Sequence, residues 1–175
     1  KETEVFVAEP DFFDVFTFPL MKGDPATALR DHNSVVLSQS LAVKTFGDED
    51  PLGRALEVQA WGDQKLYKVT GVARDVPRNS HFRFEMLVSM KTFFRGDETG
   101  WTSNNFTTYL LLRKGVTEKL MEESLVEIDK LYPTAGRAHI PWIWTLEPIT
   151  RIHLETDLAT GNQPNGSMAY VSLFS

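Results

Sequence analysis

Residues 34–84 constrain what this chain can fold into more than any other stretch. They begin with a short apolar strand, Val35-Val36-Leu37, which passes straight into a predicted helix over 39–46. Ser38 stands where a hydroxyl can accept from the first free N–H groups of that helix, and Gly47 where the chain can leave it with φ > 0. The helix offers Leu41, Ala42, Thr45 and Phe46 on one side, enough to cover one face of a small sheet. An acidic turn, Asp48-Glu49-Asp50-Pro51-Leu52-Gly53, follows, with Pro51 presetting its own φ. A strand over 55–59 comes next, and Trp61-Gly62-Asp63 turns the chain into another over 66–72. After a turn at Pro77-Arg78-Asn79-Ser80-His81, Phe82, Phe84 and Met86 alternate with Arg83 and Glu85, the period of a half-buried strand. The glycines and prolines here set turns, and no reactive group stands beside an activator. The stretch reads as the scaffold of a compact α+β unit.

The flanking segments predict further elements. Residues 4–8 read as a strand. Asp11 is placed to cap a short helix over Phe12, Phe13, Val15 and Phe16, whose aromatics are too closely spaced for one face and imply burial on two sides. Asp24 is placed to cap and Pro25 to open a short helix through Leu29, ending near His32-Asn33. Lys91-Thr92-Phe93-Phe94 suggests a helical turn, and 95–105 a loop anchored by Trp101. A strand is expected over 106–113. Gly115 breaks it, Thr117 caps, and Leu120, Met121, Leu125, Ile128 and Leu131 recur at helical spacing over 118–132, where Pro133 ends the helix. Trp142-Ile143-Trp144-Thr145-Leu146 then returns as a strand, giving a β-α-β segment, half of a ferredoxin-like arrangement.

Composition narrows the function classes. A net charge of −6 without a run of Lys or Arg gives no electrostatic footprint for a nucleic-acid backbone. The absence of cysteine excludes disulfides, zinc ribbons and thiol catalysis. Residues 47–54 fail as a phosphate loop, because five residues separate Gly47 from Gly53 and Arg54-Ala55 stands where Lys-Ser/Thr is required. Asp48-Glu49-Asp50 fails as a calcium loop, since Pro51-Leu52 occupies ligand and glycine positions. His32, His81, His139 and His153 lie far apart, with no metal-ligand spacing. Ser80 and His81 are adjacent in a turn and poorly placed to face one another, and His153 alternates with Ile152 and Leu154 as on the wet face of a strand. Two-carboxylate glycosidase chemistry stays open, because the separation of acids cannot be read from sequence. No residue is assigned to catalysis, cofactor binding or metal ligation, and a non-enzymatic chain is expected. Residues 168–175 turn apolar with no charge after Asp157, yet fall far short of the about 20 residues of a membrane span. They read as the approach to a transmembrane helix that lies beyond this fragment.

The order of the quoted pieces resembles one family. Val35-Val36-Leu37-Ser38, the run from Phe46 through Gly53, Val69-Thr70-Gly71-Val72, and Asp75-Val76-Pro77-Arg78-Asn79-Ser80-His81-Phe82 are similar to the MacB-like periplasmic core domain of FtsX-like permeases of ATP-binding-cassette systems. Asp11-Phe12-Phe13-Asp14-Val15-Phe16, Gly23-Asp24-Pro25 and Pro148-Ile149-Thr150-Arg151-Ile152-His153-Leu154 extend the likeness to nearly the whole chain. The resemblance implies two lobes: a porter-like lobe from 1–32 and 92–158, incomplete at its N-terminal side, and an inserted small β-rich lobe over 33–91. Residues 159–175 would be a tail toward a membrane helix. It gives a structural role to Phe46, Gly47, Pro51, Gly53, Gly71, Val72, Pro77, Asn79, Ser80, His81 and Phe82. It further implies a bacterial location at the periplasmic face of the inner membrane, between the first and second transmembrane helices of a permease. The implied partners are those helices, a cytoplasmic ATPase subunit or domain, a dimer mate and a periplasmic adaptor, with no cofactor. A periplasmic module binding peptide, lipid or sugar through exposed Trp or Phe is the alternative, and a hydrolase ranks third.

Overall fold

A computed structural model describes residues 4–60, 63–77, 80, 83–93, 107–131 and 144–149. The chain divides into two compact units, 1–98 and 99–175. The first contains β1 (Val5–Ala8), α1 (Phe12–Val15), β2 (Leu20–Gly23), β3 (Ser34–Ser38), α2 (Gln39–Phe46), β4 (Ala55–Ala60), β5 (Asp63–Ala73) and β6 (Met86–Ser89). The strands form one six-stranded mixed sheet in the order β1-β6-β3-β5-β2, with β4 also paired to β5.

β3 lies at the centre, parallel to β5 on one side and antiparallel to β6 on the other. All five of its residues are buried, which is why Val35-Val36-Leu37 is a continuous apolar run rather than an alternating one. Val35 and Leu37 join Val69, Val72 and Val88 beneath Leu41 and Ala42 of α2. Val36 points the other way, toward Ala28, Leu29, Phe84 and Leu87. The sheet is therefore packed on both faces.

β5 ties the sheet together. Its Lys68 N–H donates to Asn33 O at 2.8 Å and its Val69 N–H to Arg54 O at 2.9 Å, so successive residues bond to opposite sides. β4 occupies the first half of the far edge and β2 the last few residues. Against β3, Val35 pairs with Val69 and Val36 with Gly71, leaving Thr70 as an extra, bulged residue. The bulge lets Val69 and Val72, three residues apart, face the same α2-covered core. The Thr70 hydroxyl is shared between Ala28 O at 2.6 Å and Val35 O at 3.1 Å. Residues 1–32, which the resemblance assigns to a different lobe from 33–91, contribute β1 and β2 to this same sheet.

Several local expectations are corrected. Residues 24–30 form successive turns, not a helix, and β2 precedes them unanticipated. The Asp24 carboxylate accepts from Ala26 N at 3.0 Å and Thr27 Oγ1 at 3.2 Å, offering the backbone turns in place of a helical ladder. Asp11 makes no side-chain cap to α1, and none of the four α1 residues is fully buried. Its aromatics fold onto one another instead: the Phe12 ring lies 5.2 Å from Phe13, 5.0 Å from Phe16, 5.7 Å from Phe18 and 6.0 Å from Phe84, centroid to centroid. β6 begins at Met86, later than the alternation at 82–86 suggests, and is buried at all four positions. A 3-10 turn, Met90–Thr92, follows it.

In the second unit, α3 (Glu118–Leu131) is capped by Thr117, whose Oγ1 accepts from Leu120 N at 3.3 Å. Gly115 precedes it at φ 88°. Leu146 N donates to Glu122 Oε1 at 2.8 Å, holding the 144–149 segment against the helix. Of the strand expected over 106–113, the described residues 107–113 show only a bridge at Leu111, and 144–146 are not strand. Phe106, Trp142 and Ile143 of these expected strands lie outside the described residues. Among the described residues, no helix is long and apolar enough to cross a membrane.

Candidate functional site

Of the residues singled out in the sequence, Phe46, Gly47, Pro51 and Gly53 lie at the C-terminal end of α2 and in the turn after it, and Gly71 and Val72 lie on β5. At the C-terminal end, Phe46 packs half-buried against the core, and Gly47 leaves the helix at φ 60° with its N–H on Val43 O at 2.8 Å. The turn then closes on itself. Glu49 N donates to Phe46 O at 3.1 Å, Arg54 N to Pro51 O at 3.1 Å, and Gly53, at φ 77°, donates its N–H to Val69 O at 2.8 Å. Pro51 is buried under this turn. Gly53 thus pins the loop to β5, and its positive φ is what turns that N–H inward.

Two exposed ion pairs flank the turn. Lys22 Nζ of β2 reaches Asp50 Oδ1 at 2.9 Å, and Arg54 pairs with Glu49. The Asp50 carboxyl is held below its usual range, first by the Lys22 hydrogen bond and then by the Leu52 backbone N–H. These acids are therefore engaged in fixing the turn and do not form a ligand cage.

At the N-terminal end, Ser38 Oγ accepts from Leu41 N at 3.2 Å. Ser38 N itself donates to Glu85 O at 2.8 Å. Asp75, beyond the end of β5, accepts from Ser40 N at 2.8 Å and from the Ser40 hydroxyl. Gly71 and Val72 sit within β5; a Cβ on Gly71 would stand 3.2 Å from Val36 Cγ2, so the small residue lets β3 and β5 close up beside the bulge. Pro77 O accepts from Ser80 N at 3.1 Å. Asn79, His81 and Phe82 lie outside the described residues.

The arrangement can hold strands, turns and a helix in fixed relation. Among the described residues, no three His, Asp or Glu side chains are grouped as a metal site would require. Sequence reasoning missed Asp75 and Thr70 as individual residues. Gly71, an isolated glycine inside a strand, was the available signal for the bulge. The remote cap by Asp75 has no local signal, because its partner is 35 residues away.

These features define an α+β domain built on a mixed sheet. The sequence profile of the MacB-like periplasmic core domain matches residues 1–128, and this chain belongs to that family. It is similar in structure to a domain assigned to a permease protein from Porphyromonas gingivalis, with a TM-score of 0.60 and 30% identity over 78% of this chain and 62% of that one. It also matches the periplasmic region of MacB from Actinobacillus actinomycetemcomitans at a TM-score of 0.44 and 21% identity, over 71% of this chain and 54% of that one. The chain thus spans less than two thirds of either structure. No curated protein matches it.

Proposed function

We propose that this domain is the extracytoplasmic part of an FtsX-like permease in an ATP-binding-cassette system, and that its role is mechanical rather than catalytic. In this reading it stands at the periplasmic face of a bacterial inner membrane, between two membrane helices of its parent. ATP-driven closure of cytoplasmic subunits reaches it through those helices. The domain then moves as a body against a dimer mate, an exported substrate or a periplasmic partner. Residues 159–175 would lead toward the second membrane helix, and the family-motif glycines and prolines would serve as joints.

Membership in the MacB-like periplasmic core domain family supports the permease reading. The observation that carries the mechanical role is a sheet packed on both faces around β3, with the motif turn over 51–53 hydrogen-bonded to it at Val69. Such packing resists internal deformation, so a force applied at one end moves the whole element. The parent gene and its product test the reading. Apolar segments of about 20 residues should flank this domain, protease added to spheroplasts should cleave within it, and the membrane-extracted parent should carry an ATPase with it. A parent without such segments, or a domain shielded from external protease, would contradict it.

A further inference from the structure

α2 is held to the sheet by few apolar contacts. Leu41 and Ala42 are its buried residues, Phe46 is half-buried, and Gln39, Ser40, Val43, Lys44 and Thr45 are exposed. Eight residues are too few to persist as a helix in water alone, so docking must come from its attachments. Ser38 supplies a local cap that any isolated helix could have. Asp75 supplies something different: its two carboxylate oxygens take the Ser40 N–H, at 2.8 Å, and the Ser40 hydroxyl. This joins the first turn of α2 to the end of β5, whose last residue, Ala73, is fully buried in the opposite core.

We propose that Asp75 and Ser40 form a clasp that keeps α2 docked, so that opening it lets the helix leave as a unit while the sheet stays folded. A bidentate, charge-assisted contact suits that role, since it is strong when shut and, being at an exposed edge, can open into water without burying an unpaired charge. In a domain that moves as a body, α2 travels with the sheet only while the clasp is shut. That consequence rests on the permease reading; the clasp itself does not.

Hydrogen exchange on the 175-residue chain, read by mass spectrometry, tests the clasp independently of any transport. Asp75→Ala should raise exchange of the amides of residues 40–46 about tenfold, the order expected for losing a charged acceptor, while β3 and β6 amides keep their protection. Ser40→Ala, which removes only the hydroxyl bond, should raise exchange at the same amides by a smaller factor. Asp75→Asn, whose amide oxygen can still accept the N–H, should fall between wild type and Asp75→Ala. Unchanged exchange in α2, or a rise spread evenly over β3, β5 and β6, would overturn the proposal. So would an Asp75→Ala chain that does not fold, or a Ser40→Ala chain with wild-type exchange at residues 40–46.

Discussion

A Cβ built on Gly23 would stand 2.4 Å from the Thr70 carbonyl oxygen, and the residue sits at φ 90°. Both strain and collision oppose any side chain there, whereas Gly47, at φ 60°, has nothing within 4 Å of its Cβ position. Gly23→Ala should therefore destabilise by about 3 kcal/mol or more and Gly47→Ala by about 1–2 kcal/mol. Urea unfolding of the two variants separates the cases, and equal losses would contradict this geometry. Thr70→Val keeps the bulge's shape but withdraws the hydroxyl from Ala28 O and Val35 O, for an expected loss of about 1–2 kcal/mol that Thr70→Ser largely avoids. Tyr67 adds a pH dependence. Burial pushes its phenol above the usual 10.0, so the fold prefers the neutral ring. That preference is fully present below pH 10 and is lost as pH rises through the folded-state value. Alkaline unfolding of Tyr67→Phe should lack this component; an unchanged slope above pH 10 would contradict it.

At the scale of elements, the centre of the sheet outweighs its rim. Leu37→Ala empties a fully buried site shared by β3 and the α2-covered core and should cost about 2–5 kcal/mol. Leu66, 62% exposed on β5, should tolerate alanine within about 0.5 kcal/mol. Thermal or urea melts read both. The same contrast explains which elements could be read in the sequence. β3 and α2 were legible because an apolar run, a capping Ser38 and a terminating Gly47 all point one way. α3 was legible from its helical spacing and Thr117. β2 was not, because only Leu20 of Leu20-Met21-Lys22-Gly23 is even half-buried, and its strand character comes from pairing with β5. The turns at 24–30 were misread because Asp24-Pro25 suits a helix start and an Asx turn alike. Of the site, the positions of Gly47, Pro51 and Gly53 as turn-makers were open to local reasoning. Asp75, Lys22 and Thr70 act on partners far along the chain and were not.

The molecule as a whole belongs to a family of periplasmic core domains, and its described residues offer packed strands and a helix hydrogen-bonded to Asp75 beyond β5. On the proposed reading the domain moves as a body, driven from across a membrane. The chain contains no cysteine, so spin labels can be introduced at chosen exposed sites of this domain without background from it. In the full permease with its ATPase, read as a dimer, Lys44→Cys with Glu57→Cys on one mate and an unlabelled second mate reports the distance inside the domain, and Lys44→Cys on both mates reports the distance between them. Both side chains are exposed, one on α2 and one on β4. Pulsed electron–electron resonance with and without ATP should show the internal distance unchanged and the distance between mates shifted. A mate-to-mate distance indifferent to ATP, or an internal distance that changes with it, would contradict the account.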